Sequence, residues 1–364
     1  MLANVEEMKT VRRWDARRSL LAIFATAILT AILISCLPEN AYVRYQQLDN
    51  TEYRNLRWIY ERTHFDARPI DIAVLGSSRI ATGVDARQLE ASLRAAGLPL
   101  DVENFGIPFN GRNLDLEIAR GLLANKQPQL LIIGVPERPS QHTHVTFKYV
   151  ASSRHVLESL GYGNIDYLSD LIYLPYRHLR TLWLGAFPMP VDPADREDGA
   201  IHAYGDSVLK LEAGGHWQVS YPQRGLGELE SGAKRSLMQR SDNPLSKVAW
   251  VANLSEERRN VVAITALARA HNTRVVFLFL PQFESDRTIS ERAFYESQGA
   301  LLDAGFVSTR PDLYSSWGHL NARGARTVNA WLLRELLGAG LVKRAGSVDR
   351  APPTPAGGGR PAAR

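Results

Sequence analysis

The chain of 364 residues contains one cysteine, Cys36. That excludes an intrachain disulfide and any metal centre built from paired thiolates. No internal repeat is apparent, which sets repeat architectures aside. The formal charge of +5 has no basic face behind it. Arginines cluster only at Arg12, Arg13, Arg17 and Arg18, the late excess falls in a tail, and the rest are scattered. No nucleic-acid partner is expected from such a distribution. Residues 345–364 lack aromatics and are dense in Pro, Gly and Ala. They cannot build a core and are expected to be disordered. Gln141-His142-Thr143-His144 carries two histidines at a strand-like spacing, but no carboxylate or cysteine stands near them. No metal and no cofactor is therefore expected.

What is present is ordinary for a folded protein: 45% hydrophobic and 22% charged residues. The length suits one large or two modest domains. One segment stands apart. Ser19 to Leu37 (SLLAIFATAILTAILISCL) runs without a charge and ends at Pro38. Nineteen such residues are about enough to cross a hydrocarbon core of roughly 30 Å. The arginines on its N-terminal side keep residues 1–18 cytoplasmic by the positive-inside rule and send the remainder out. Two fates fit this segment, a retained signal anchor or a cleaved signal. Leu33-Ile34-Ser35-Cys36 resembles a bacterial lipobox, whose cysteine is lipidated, although Cys36 also suits a membrane helix as a small apolar side chain. Residues 38–68, with Leu48, Tyr53, Leu56, Ile59 and Tyr60 at helix-like spacing, read as a juxtamembrane helix and linker.

From residue 69 the chain alternates. Ile70 to Leu75 is a short run of branched aliphatics, read as a buried strand that stops at Gly76. Asp85 to Ala96 is an amphipathic helix, Pro99 to Phe105 a strand, Asn113 to Asn125 a helix, and Gln129 to Val135 a strand. Residues 138–250 break the rhythm with His, Tyr, Pro, Gly and Trp. They read as an insertion, part helical and part loop, suited to a lid or recognition wall. Ser255 then caps a helix to Ala270, Thr273 to Leu280 is a buried strand, and Glu284 to Ala304 is largely helical. Gly305 to Ser308 is an edge strand, and Asn321 to Leu337 a closing helix. Alternation at this spacing predicts an α/β protein: a three-layer sandwich around a central, mostly parallel sheet.

The chemistry sits at the strand ends. In Asp71-Ile72-Ala73-Val74-Leu75-Gly76-Ser77-Ser78-Arg79-Ile80, Gly76 permits a sharp turn, and the serines either cap a helix or stand at the mouth of the sheet as a nucleophile. His319, in Asp312-Leu313-Tyr314-Ser315-Ser316-Trp317-Gly318-His319-Leu320-Asn321, precedes the last helix. Parallel strands bring all their C-terminal loops to one edge, so this imidazole and Ser78 belong on the same rim, where histidine is the usual proton acceptor.

Gly76-Ser77-Ser78, Asn104-Phe105-Gly106, Gly134, and His319-Leu320-Asn321-Ala322-Arg323-Gly324 together resemble the SGNH/GDSL hydrolase superfamily. More narrowly, the chain is similar to its membrane-anchored bacterial branch, which acylates or deacylates cell-envelope and secreted polysaccharides. The resemblance spans roughly residues 69–340, with no counterpart for the insertion. It implies an SGNH/flavodoxin-like sheet, Ser78 as nucleophile, His319 as general base, and an oxyanion hole from the N–H groups of Ser78 and Gly106. The implied protein is an esterase or O-acyltransferase, most often for acetyl groups, at the outer face of the inner membrane. Its partners would be an acylated polysaccharide or acyl ester and other envelope-assembly proteins. Two departures stand out. Pro136 replaces the asparagine that supplies a further oxyanion donor, a role Asn110 could take over. Ser316 replaces the acid three residues before the histidine, which leaves a Ser–His dyad or Asp312 as third member. Arg79 either binds an anionic group of the substrate or pairs with Glu137 or Asp71. Trp183, Trp217 and Tyr221 offer stacking surfaces for sugars or serve the core. Both departures also fit a non-catalytic scaffold subunit built on the same fold.

Overall fold

The computed structural model describes residues 3–49, 51–109, 111–139, 142–162, 164–187, 200–202, 208–211, 216–241, 244–285 and 287–343. Five short apolar runs form one parallel sheet: β1 (Ile72–Leu75), β2 (Val102–Asn104), β3 (Leu130–Val135), β7 (Arg274–Phe279) and β8 (Ala300–Asp303), in the order β2-β1-β3-β7-β8. Strand side chains alternate between two cores, as a sheet covered on both faces requires. Ile72, Val74, Leu130, Ile132, Val276 and Leu278 face one core. Ala73, Leu75, Leu131, Ile133, Phe277 and Phe279 face the other.

Helices complete the two outer layers. The first core is closed by α5 (Ala86–Ala95), α10 (Leu226–Ser241) and α13 (Ala322–Gly338). The second is closed by α3 (Asn55–His64), α6 (Arg112–Asn125), α11 (Pro244–Ala270) and α12 (Arg292–Gln298). Asp85 caps α5 by accepting from the Gln88 N–H. The fold is the expected three-layer α/β sandwich.

The insertion contributes α7 (Phe147–Val150), α8 (Ser153–Glu158), α9 (Tyr167–Ala186) and an antiparallel sheet of β4 (Ala200–His202), β5 (Val208–Leu211) and β6 (Trp217–Ser220). At the N-terminus α1 (Ala3–Ser35) is followed by α2 (Ala41–Gln46). Within α1, Ala16–Ser35 is long and apolar enough to cross a membrane, with a mean hydropathy of 2.0 and none of it buried.

Four expectations change. The supposed linker is part of the body: Leu48, Leu56 and Ile59 are buried in the second core, so residues 41–64 pack as α2 and α3. Ser255 is not a cap, because α11 begins at Pro244 and runs through it. Among the described residues between Glu284 and Ala304, only Arg292–Gln298 are α-helical. The edge strand is Ala300–Asp303 rather than 305–308, since Gly305–Val307 turns as a 3₁₀ helix. Polar and apolar residues mix closely there, and period alone does not separate a short strand from a helix end. The tail from residue 344 lies outside the described residues.

Candidate active site

The sheet order reverses about β1, and at such a switch point the loops at the strands' carboxyl ends part to leave a crevice. Ser78 opens the short helix α4 (Ser78–Gly83) directly beyond β1. Three glycines let that helix sit down on the sheet. Gly76 has φ +145°, and a methyl group there would meet Ile80 Cγ1 at 2.7 Å. At Gly134, the penultimate residue of β3, it would meet the same Ile80 atom at 2.3 Å, and at Gly106, beyond β2, the Ala81 nitrogen at 2.6 Å. Asn104 secures the far end of α4 by donating to the carbonyls of Ile80 at 2.9 Å and Val84 at 2.6 Å.

His319 comes from a second device. Strands β9 (Tyr314–Ser316) and β10 (His319–Leu320) form a hairpin in which His319 stands opposite Ser316. Its turn is fixed by Trp317, which fits against Gly232 of α10 so closely that a methyl group there would lie 2.3 Å from Cδ1. Asn321 caps α13 through the Gly324 N–H at 2.9 Å. Gly324 in turn leaves room for the Leu313 carbonyl, which a methyl group would meet at 2.2 Å.

These two devices meet. Ser78 Oγ lies 2.9 Å from His319 Nε2, although 241 positions separate them in the chain. His319 Nδ1 lies 2.8 Å from Ser316 Oγ. With Nδ1 protonated and donating to Ser316, Nε2 is left as the acceptor for the Ser78 hydroxyl proton. Tyr221, just beyond β6, stacks on the imidazole with ring centroids 3.7 Å apart and planes at 13°. Buried this way, and repelled by the Arg79 charge, the His319 imidazolium is disfavoured, and its pKa is pushed down to about 3. The imidazole is neutral at physiological pH.

The other expected residues are placed differently. Asp312 does not reach the histidine: its carboxylate pairs with Arg310 at 2.8 Å and Arg323 at 3.2 Å, and Ser316 holds the Nδ1 side instead. Gly106 N–H donates to Asn104 Oδ1 at 2.9 Å, so in this structure it is not a free oxyanion donor. Ser78 N–H lies in the first turn of α4, where no intrahelical acceptor exists. Asn110 lies outside the described residues. Arg79 pairs with Glu137 at 2.7 Å and donates to the Leu280 carbonyl at 3.1 Å, as the pairing alternative expects. Burial would raise the Glu137 carboxyl, but Arg79 and the Gln282 N–H outweigh it and hold the pKa below the ordinary value. Pro136 lines a small cleft beside the serines with Gly76, Ser77, Ile107 and Phe109, floored by Arg112, Asp115 and Glu257. Arg112 is fully engaged there, bonding Asp115, Glu257 and the Gly134 carbonyl. His144 is buried with both ring nitrogens bonded, to Thr146 and the Pro108 carbonyl, and His142 faces Asp166.

Sequence reasoning missed two members of this group. Ser316 was legible by its position, three residues before the histidine, but not by its type. Tyr221 was noticed only as an aromatic of the insertion, and nothing local ties it to His319.

No family model matches the chain, and no curated protein matches it in sequence. Among solved structures, a crystal structure of TesA aligns with 73% of this chain and 98% of its own, at 14% identity and a TM-score of 0.35. That likeness is too distant to add to what the sheet itself displays.

Proposed function

We propose that this protein is a membrane-tethered serine hydrolase or acyltransferase of the SGNH kind, acting outside the cytoplasm on O-acyl esters of an envelope or secreted polysaccharide. The observation that carries the chemistry is the 2.9 Å approach of Ser78 Oγ to His319 Nε2 at the switch point of the sheet. His319 accepts the hydroxyl proton as Oγ bonds to the ester carbonyl carbon. The Ser78 N–H faces the negative charge that develops on the carbonyl oxygen. Collapse of the tetrahedral intermediate breaks the bond to the alcohol, which leaves with the proton held by His319. Water or a sugar hydroxyl then gives its proton to His319 and takes the acyl group from Ser78. Support for the polysaccharide and its acetyl cargo comes from the GSSR and HLNxxG resemblance, and for the outward orientation from Arg12, Arg13, Arg17 and Arg18 before the apolar helix.

Ser78→Ala is expected to abolish turnover of p-nitrophenyl acetate and labelling by a fluorophosphonate, with circular dichroism unchanged. Unchanged turnover would remove the assignment. One observation favours a scaffold without catalysis: Gly106 N–H is already bonded and Pro136 offers no replacement donor. Absent fluorophosphonate labelling of the parent chain, together with binding of acetylated glycan, would select that reading.

A further inference from the structure

Helix α9 is built inside out. Of its charged and ionisable side chains, Asp170, Arg177 and His178 are buried, Arg177 completely, and Arg180 is half-buried. Its outward face carries Leu168, Ile172, Tyr176, Leu179 and Trp183, spaced by four, four, three and four residues and so aligned along one side. Leu168 is 69%, Ile172 75% and Trp183 63% exposed. A helix facing water shows the opposite arrangement, and a contiguous apolar stripe of this length marks a surface covered by something other than solvent.

The buried side chains of α9 show what lies beside it. Arg177 Nε bonds Glu39 at 2.8 Å, and His178 Nδ1 meets the Leu37 carbonyl at 3.0 Å. These are the residues by which the chain leaves the apolar helix α1. Ala31 and Ile34, in the last turns of α1, are already half-buried, and α1 packs on α9. No free linker separates the candidate span from the folded body. If Ala16–Ser35 crosses a bilayer, α9 is clamped at the point where it emerges.

We propose that the outward face of α9 lies in the membrane–water interface, so that phospholipid covers it and the domain rests on the bilayer at two places. The proposal depends on the membrane reading of α1. Crossing the membrane does not suit α9 itself, which holds Asp170, Arg177 and Arg180 and an internal proline, Pro175. Lying flat does suit it: 20 residues give about 30 Å of helix, with the polar side against protein and the apolar side down. Tyr176, Trp183 and Phe187 are of the type that settles at headgroup level, and Trp183 and Phe187 contact each other at 4.5 Å between ring centroids. The continuity of this face with α1 favours lipid over a second protein.

The test uses the full chain in phospholipid nanodiscs. On a Cys36→Ser background, single cysteines at Ile172→Cys and Leu179→Cys carry an environment-sensitive nitrobenzoxadiazole label. Phe24→Cys reports on α1, and Arg334→Cys, exposed on α13, marks the far face of the sheet. Blue-shifted emission at both α9 positions, lost when spin-labelled lipid is added, supports the proposal, provided Phe24→Cys is also quenched and Arg334→Cys is not. Two α9 positions guard against one variant failing to fold. Labels on α9 as unquenched as Arg334→Cys, beside a quenched Phe24→Cys, overturn the proposal and leave the anchor standing. An unquenched Phe24→Cys overturns the anchor and the proposal with it. Blue-shifted α9 labels that lipid quenchers do not reach mean a protein partner, a second copy included, and also overturn it.

Discussion

Among the described residues His319 has no carboxylate partner, and in the proposed reaction the imidazolium formed on taking the Ser78 proton meets the neutral Ser316 hydroxyl at Nδ1. Burial and the nearby Arg79 charge push the pKa the same way, down to about 3, so the imidazole stays a base far into acid. In the proposed reaction, kcat/KM for a p-nitrophenyl ester should therefore hold level down to about pH 5, below the usual histidine limb near 6.5. Tyr221→Ala uncovers one face of the ring and lets water in, so the acid limb should move up toward that ordinary value. A parent profile that already breaks near 6.5 would contradict the burial argument. Ser316→Ala removes one neutral hydrogen bond, worth about 1 kcal/mol, and should lower kcat by about two- to tenfold with KM unchanged. The position of Ser316 was readable in the chain, but its substitution for an acid acquires meaning only once the 2.8 Å contact is seen.

At the scale of elements, the short helix α4 decides where Ser78 points, and it is held by contacts from the ends of two strands. Asn104 ends β2 and Gly106 lies just beyond it, Gly134 is the penultimate residue of β3, and the Arg79–Glu137 pair ties the helix to the segment after β3. The pair is shielded from solvent, with side-chain exposures of 11% and 1%, so its loss is not the small effect of a surface ion pair. Arg79→Ala leaves Glu137 buried without its cation and should cost about 3 kcal/mol in urea unfolding. A higher KM with stability unchanged would instead mean that Arg79 meets substrate. The glycines that made these segments recognisable in the sequence are explained here by close approach. Their neighbours Ile80 and Ala81 sit where a methyl group would go. The local pattern marked the turn at Gly76, whereas for Gly106 and Gly134 the neighbours that demand glycine come from α4, remote in the chain.

For the whole molecule, one buried acid sets the alkaline side of stability. Glu256 on α11 is raised to about 8 by burial and by the charges of Glu257, Asp166 and Asp170. The folded chain keeps that proton while the unfolded chain loses it near pH 4.5, so stability falls as pH rises between these values. His144 and His319, held down to about 4 and about 3, act in the opposite sense below 6.5. There Asp115, raised to about 6 by burial and Glu257, together with Glu256 offsets them. Stability should thus fall from about pH 6.5 toward 8, by up to ~1.4 kcal/mol per unit from Glu256, with His216, raised by its bond to Glu103, adding in the same sense. Glu256→Gln should remove the Glu256 part of that fall in urea titrations at pH 6.5, 7 and 8, and a parent curve that is flat over this range would refute the assignment.

Periodicity was sufficient for four of the five sheet strands, for helices α5, α6 and α13 and for the apolar segment before them, because each is a local pattern of side chains that must leave water. The glycine-serine turn after β1 and the histidine before α13 were legible for the same reason: tight turns and helix caps require particular residues in place. What only the tertiary structure decided are contacts between segments remote in the chain. Among them are Tyr221 over His319, Asp312 turned away toward two arginines, and Arg79 paired with Glu137. The outward face of α9 belongs with them, since its leucines became informative only when its arginine and histidine proved to be buried. A sequence records which side chains can bond or bury, and the fold alone chooses the partner when several lie within reach.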